Sequence, residues 1–212
     1  MSQRAFHDED LTWYFRREQK VRHKVKGMIN KARALGFAKQ GRFLDIGCGL
    51  GFSMMQAIEM GFEAEGFEPL EKAAEHAKNV LNLDVKCDFF KGEDFAPNQF
   101  DVVLLDQVLE HVYEPQVMMA DIAKVLKPGG VLLLGVPNFD WLVLLITKLN
   151  LSSKINAFAD PQEHINYYTI DTIRHLCRVN NLKLSGYYYA RNYIKVPFMA
   201  LNLSPGYFII SK

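Results

Sequence analysis

The residues whose types and spacing hold the most chemistry are Asp45-Ile46-Gly47-Cys48-Gly49-Leu50-Gly51, set between a short apolar run and a segment of helical period. Glycines at such a turn let the backbone bend tightly and approach a ligand, and the helix behind them offers unpaired N–H groups and the positive end of its dipole. A dinucleotide fingerprint needs a further glycine at position 52, where Phe52 stands, and no Gly-Lys-Ser/Thr follows to make a triphosphate loop. The Gly-x-Gly-x-Gly spacing, with an acid two residues ahead, suits a ligand with an amino-acid end and no pyrophosphate. Glu68, closing the next apolar strand, is placed to accept both hydroxyls of a ribose. Taken alone, Glu68 reads equally well as an acid capping the following helix.

Alternating strands and helices must position these groups. Apolar strands are expected at 42–46, 62–67, 84–89, 101–106 and 131–136. Between them fall helices containing Met54, Met55 and Ile58, then 69–81 opened by Pro69, then 116–126 stopped by Lys127-Pro128-Gly129-Gly130. A helix at 169–180 and strands at 183–190 and 207–211 finish the chain. This succession predicts an α/β fold with a doubly wound, mostly parallel sheet and helices on both faces. We read one domain over 1–212: a helical cap at 1–38, a cofactor-binding core at 42–137, an insertion forming a substrate cap at 138–168, and a C-terminal helix with strands at 169–212.

Composition narrows the class. The chain has 212 residues, 49% of them hydrophobic and 23% charged, with 25 Lys and Arg against 24 Asp and Glu. That is ordinary globular composition, and it argues against a globally basic nucleic-acid binder, an acidic tail protein or a disordered chain. The balance is uneven: Arg16, Arg17, Lys20, Arg22, Lys24, Lys26, Lys31 and Arg33 face one acid, Glu18, between positions 11 and 33. Val21, Val25, Met28, Ala32 and Leu35 repeat at helical spacing, so the basic residues are expected on a solvated face of an amphipathic helix. Such a face could also attract an anionic acceptor or make weak contact with a membrane surface. Three scattered cysteines, Cys48, Cys87 and Cys177, fit free thiols in a reducing compartment. The N-terminus is polar and acidic, and the longest apolar run, 141–146, is far short of the ~20 residues of a membrane helix. A cytoplasmic location is expected, with no stable nucleic-acid binding.

Several stretches together resemble class I S-adenosylmethionine-dependent methyltransferases. They are Phe43 through Gly51, Gly66-Phe67-Glu68-Pro69, Phe100 through Val112, Leu126-Lys127-Pro128-Gly129-Gly130-Val131, and Val136-Pro137-Asn138. The stretch from Pro161 through Thr169 is similar to the subgroup of small-molecule O-methyltransferases that includes ubiquinone-pathway enzymes. The resemblance implies a Rossmann-like, seven-stranded sheet and S-adenosyl-L-methionine as cofactor. It implies that Asp45, Gly47, Cys48, Gly49 and Gly51 hold the methionine end, with Phe52 beside them. Glu68, followed by Pro69, would take the ribose, and Asp106 and Gln107 would lie beside the methionine and sulfonium. Where the family commonly has an acid reaching adenine, this chain has Phe89. Either Asp88 takes that role, or Phe89 and Phe90 hold the ring by van der Waals contact and backbone bonds, and the second is favoured.

Methyl transfer needs alignment and exclusion of water, and a hydroxyl acceptor benefits from a base. His7, His23, His76 and His175 are expected at the surface. His111, after the fourth strand, and His164, after the insertion, are the base candidates, with His164 ahead. Glu110-His111 and Glu163-His164 show no metal-ligand spacing, so no metal is expected. The apolar stretch 139–151 reads as a helix over the sheet or as a lid, and Tyr14, Asn138, Trp141, Tyr167 and Tyr168 are the candidate acceptor residues, walling an apolar pocket. A hydrophobic or aromatic small-molecule acceptor, methylated on oxygen, is the leading expectation. A catalytically inactive S-adenosylmethionine-binding protein is the alternative; a nicotinamide-dependent oxidoreductase is disfavoured by Phe52.

Overall fold

Val25, Met28, Ile29 and Ala32 recur at three- and four-residue intervals, so the helix they define, α1 (Glu18–Ala34), buries one stripe and leaves its basic residues outside it. The computed structural model describes residues 15–137, 164–189, 193–196, 199–202 and 206–212, and in it that stripe lies against a seven-stranded sheet. The chain continues as β1 (Gly41–Ile46), α2 (Phe52–Glu59), β2 (Phe62–Phe67), α3 (Glu71–Glu75), β3 (Asp84–Lys86), β4 (Phe100–Asp106), α4 (Pro115–Val125) and β5 (Leu126–Val136). Then come α5 (Ile170–Val179), β6 (Lys183–Tyr189), a separate hairpin of β7 (Tyr193–Val196) and β8 (Met199–Asn202), and β9 (Gly206–Ser211).

The strand order is β3-β2-β1-β4-β5-β9-β6, parallel from β3 to β5, with β9 antiparallel to both its neighbours. The expected α/β class and Rossmann-like sheet are therefore present. Strand succession reverses between β1 and β4, and open sheets of this kind admit ligands beyond the carboxyl ends of the strands at that point. Val102 and Leu104 on β4 face α1 and α2, together with Phe43 and Leu133. Val103 and Leu105 face the other way, toward Met119 and Ile122 of α4 and Ile173 and Leu176 of α5. Burial on both faces is why β4 and β5 read as unbroken apolar runs.

Local details depart from the sequence reading. The helix expected at 69–81 is α3 followed by a π-helical turn, His76–Val80, in which Leu81 N–H donates to the His76 carbonyl. Strand β3 ends at Lys86, earlier than expected, and past it the chain bends at 87–88, where Asp88 accepts from Phe89 N–H at 2.7 Å. Lys127-Pro128-Gly129-Gly130 is an irregularity inside β5, across which pairing jumps from Phe100↔Leu126 to Val102↔Val131. The β7–β8 hairpin was not foreseen. No described helix is long and apolar enough to cross a membrane.

The basic face of α1 is largely engaged. Arg22 pairs with Glu18 and Glu59, Lys31 lies 4.3 Å from the Tyr188 ring centroid, and Lys24 pairs with Asp106. Arg33 donates to the carbonyls of Ala38, Lys39 and Met60 at 3.0, 3.0 and 2.8 Å, tying the end of α1 to α2 and β1. The expectation of a merely solvated basic face gives way to one that clips the helix to the sheet. Arg33→Met should leave these carbonyls without their partner and lower stability by about 1–2 kcal/mol, read as a lower urea midpoint at unchanged slope.

Candidate functional site

The glycine loop closes on itself at the end of β1. Gly47 and Cys48 N–H both donate to the Phe67 carbonyl, at 2.8 and 3.0 Å, and Gly51 N–H donates to Cys48 at 3.0 Å. Gly47, Gly49 and Gly51 all have positive φ, and a Cβ on Gly47 would lie 2.6 Å from Val108 Cγ2. The loop therefore runs too close beneath the β4 turn to carry a side chain there. Glu68 is buried and holds the loop from the side: one oxygen accepts from Gly49 N–H at 2.8 Å and the other from Leu70 N–H at 2.9 Å. Burial raises its pKa, against the pull of those two N–H groups. Asp45 is buried under the loop and accepts from Ser53 Oγ, a partner that sequence spacing did not single out. Its pKa is pushed up to about 7 by burial, opposed by the Ser53 hydroxyl and assisted by the charges of Asp106 and Glu68.

The parallel register sets Ile46 beside both Phe67 and Leu105, so the residues after β1, β2 and β4 share one rim. Asp106 ends β4, and Gln107 follows it in a left-handed conformation, φ 59°, with its N–H donating to the Gly135 carbonyl at 2.8 Å. Asp106 Oδ1, Gln107 Nε2 and both oxygens of Glu110 are buried without a hydrogen-bond partner. Each such group costs about 1–3 kcal/mol when left unsatisfied, and this turn concentrates several of them. Lys24, arriving from α1, completes this rim through its ion pair with Asp106. Nothing in the local sequence connects those two residues.

His111 lies in the turn after β4, and its ring centroid is 5.1 Å from that of His164. Ile165 and Asn166 N–H both donate to the Glu110 carbonyl at 3.0 Å, and Asn166 Nδ2 donates to Val112 at 2.6 Å, which clamps the post-insertion segment onto this turn. Glu110, His111 and His164 each bring one ligand atom within 4.8 Å of the others. Chain spacing offered no metal-ligand set; the clamp supplies one carboxylate and two imidazoles, a donor set suited to a divalent cation. Burial pushes Glu110 up to about 8.

The other predicted residues divide. Tyr168 is buried in the core, and its hydroxyl donates to the Leu109 carbonyl at 3.1 Å, which makes it a strut beneath the clamp. Tyr167 is half-buried beside it. Phe90 is buried against Phe67 and Phe95, while Phe89 is 45% exposed, so the two do not form one ring-holding pair. Asp88 is exposed next to Phe89. His76 is not a plain surface residue: its ring meets Phe15 edge-on at 5.0 Å and its Nδ1 is buried. His23 and His175 are exposed as expected. Tyr14, Asn138, Trp141, His7 and the 139–151 stretch lie outside the described residues.

A reversing parallel sheet, a left-handed glycine loop and a buried acid one strand over define a nucleotide-cofactor α/β domain. Residues 15–185 match the family described as "Methyltransferase domain", and the chain belongs to that family. Its cofactor is S-adenosylmethionine, and the residues present fit it: the loop is a cradle that a Cβ would fill, and Asp106 and Gln107 have polar atoms to satisfy. The chain is 33% identical over 133 residues to a "Ubiquinone biosynthesis O-methyltransferase" of Parvibaculum lavamentivorans, covering 60% of this chain and 48% of that one. It thus spans about half the length of the curated relatives it matches. The fold is similar to that of 1,6-didemethyltoxoflavin-N1-methyltransferase from Burkholderia thailandensis, solved with 1,6-didemethyltoxoflavin and S-adenosylhomocysteine, at TM-score 0.68 and 16% identity over 98% of this chain and 84% of that one. It is also similar to that of the [4+2]-cyclase SpnF, at TM-score 0.59 and 15% identity over 79% of this chain and 60% of that one.

Asp45 is raised from 3.8 to about 7 and Glu110 from 4.5 to about 8, so the folded protein keeps protons that the unfolded chain releases. Their stabilising effect is full at about pH 4 and is lost as pH rises toward about 8. In chelator-treated, ligand-free buffer, Asp45→Asn and Glu110→Gln should therefore gain melting temperature over the unsubstituted protein as pH goes from about 5 to 8. A gain that shrank over that interval would contradict the sign of both shifts.

Proposed function

We propose that this chain transfers a methyl group from S-adenosylmethionine to a hydroxyl on a small hydrophobic or aromatic acceptor, with the His111–His164 pair supplying the base. The observation that supports the reading is the approach of the His164 ring to 5.1 Å from that of His111, in the turn that follows Asp106 and Gln107. The 33% identical relative, a ubiquinone biosynthesis O-methyltransferase, favours oxygen as the atom methylated. When bound, the cofactor supplies a methyl carbon already activated by the sulfonium charge. Within this reading the chain's own residues have separate tasks. The glycine loop and Asp45 hold the amino-acid end, Glu68 accepts from the ribose hydroxyls, and Asp106 and Gln107 line the reacting end. His164, with His111 beside it, takes the acceptor hydroxyl proton at a ring nitrogen. Alignment and water exclusion supply most of the remaining rate. Tyr167 stays an acceptor-facing candidate, as do Tyr14, Asn138 and Trp141 on sequence grounds.

A second reading of the same turn rests on the convergence of Glu110, His111 and His164: the three hold a divalent cation that lowers the pKa of the acceptor hydroxyl. Exhaustive chelation separates the two. Turnover unchanged by chelation supports the histidine base, and turnover lost and then restored by one divalent ion supports the cation.

Calorimetry with S-adenosylmethionine, S-adenosylhomocysteine and NAD tests the cofactor, and labelled-methyl transfer to a panel of phenols, isoprenoid quinone precursors and sugars tests the acceptor. Binding of the first two without transfer to any acceptor would favour the inactive binding protein. With an acceptor in hand, His164→Ala should lower kcat by about 100-fold while leaving the S-adenosylmethionine Kd within about twofold. An equal loss in both would make His164 a structural residue instead.

A further inference from the structure

Lys24 differs from the other basic residues of α1 in where its charge goes. Its ammonium bonds Asp106 Oδ2 with the two side chains 20% and 15% exposed, so the pair sits at the crevice rim and not on the outer face of the helix. Its charge is felt by Asp45 below the glycine loop and by Glu110 in the turn after β4. Asp106 is steered toward it by β5: Gly135 leaves the room that a Cβ would take from Oδ1, and Tyr207 lies against that same glycine. Yet Asp106 is only half satisfied, because Oδ1 is buried without a partner.

The helix does not need this pair to stay docked. Val25, Met28, Ile29 and Ala32 bury its apolar stripe, Arg22 holds Glu59, and Arg33 holds three carbonyls. Lysine is a compact charge on a flexible four-carbon stem, so the ammonium can leave Asp106 while α1 remains in place.

We propose that Lys24 is an internal competitor for Asp106, neutralising that carboxylate when no ligand cation is present and yielding it when the sulfonium cofactor binds. This rests on the reading that places Asp106 beside the sulfonium. The cofactor carries a positive sulfur and its demethylated product a neutral one, so the competition acts on the first and not on the second. Lys24 thereby weakens cofactor binding relative to product and leaves Asp106 paired again once the sulfonium charge is gone. It is a positioning residue, acting through Asp106.

The test is calorimetry of S-adenosylmethionine and S-adenosylhomocysteine on the full chain and its variants. Lys24→Met should tighten S-adenosylmethionine and raise the ratio of the product Kd to the cofactor Kd by about tenfold, since the carboxylate is then left for the ligand alone. Lys24→Gln, which keeps length and polarity, should do the same if the methionine variant is poorly folded, and Lys24→Arg should keep the original ratio. Asp106→Asn should lower the ratio, and adding Lys24→Met to it should raise it by less than Lys24→Met does in the unsubstituted protein. A ratio that stays within about twofold in Lys24→Met and Lys24→Gln overturns the proposal, as does an equal weakening of both ligands, which would make Lys24 a support for the site. If the unsubstituted protein binds neither ligand, the cofactor reading falls and the proposal with it; if it binds both with variant-independent ratios, only the competition falls.

Discussion

Four acidic side chains, Asp45, Glu68, Asp106 and Glu110, are drawn out of water at the carboxyl end of one parallel sheet, and the rest of the site is arranged around them. Removing a carboxylate from water is costly unless hydrogen bonds or a cation compensate. The four are compensated differently. Glu68 has two backbone N–H groups, Asp45 has the Ser53 hydroxyl, Asp106 has Lys24 on one oxygen, and both oxygens of Glu110 lack a hydrogen-bond partner. Compensation therefore declines from the glycine loop toward the turn after β4, and Glu110, at the far end, meets the cost of burial by holding its proton more tightly.

That gradient requires a rigid frame, because carboxylates brought this close would otherwise turn outward. The frame is apolar. Leu44, Val103, Leu105, Leu132 and Leu134 are fully buried between the sheet and α4 and α5, and Phe43, Val102, Leu133 and Val131 are fully buried on the α1 side. Burial at roughly 25 cal/mol per Å² over two such faces outweighs the several kcal/mol that a handful of imperfectly satisfied polar atoms withdraw. Tyr168 illustrates the coupling: its ring belongs to the core while its hydroxyl fixes the turn that carries Glu110 and His111.

The legible parts of the site are those whose partners are near in sequence or governed by strand period. The glycine loop, Glu68 and the alternation of strands and helices could be read because each depends on local backbone requirements. The two faces of β4 follow from period two. Three kinds of feature could not be read that way. Lys24 and Asp106 meet only because α1 packs across β4 and β5, and no local pattern encodes that contact. Glu110, His111 and His164 converge because backbone donors at 165 and 166 find the Glu110 carbonyl, a bond indifferent to side-chain type. Phe89 and Phe90 look alike in sequence, yet both lie past the end of β3, where strand period no longer assigns faces, and one joins the Phe67–Phe95 cluster while the other is exposed.

The basic N-terminal helix changes meaning in this light. Near-neutral net charge could have come from acids and bases spread evenly over the surface, but here the bases were concentrated on α1 and the acids elsewhere. Arg22 and Arg33 use that separation to hold the helix down, and Lys24 alone of these three reaches the crevice. A second cation there would have pulled the raised pKa values of Asp45 and Glu110 back down, as an opposite charge does. None would have left Asp106 with both oxygens uncompensated in the empty protein. One lysine against this group of acids therefore pairs one oxygen of Asp106 and leaves its other oxygen, with both of Glu110, lacking a hydrogen-bond partner.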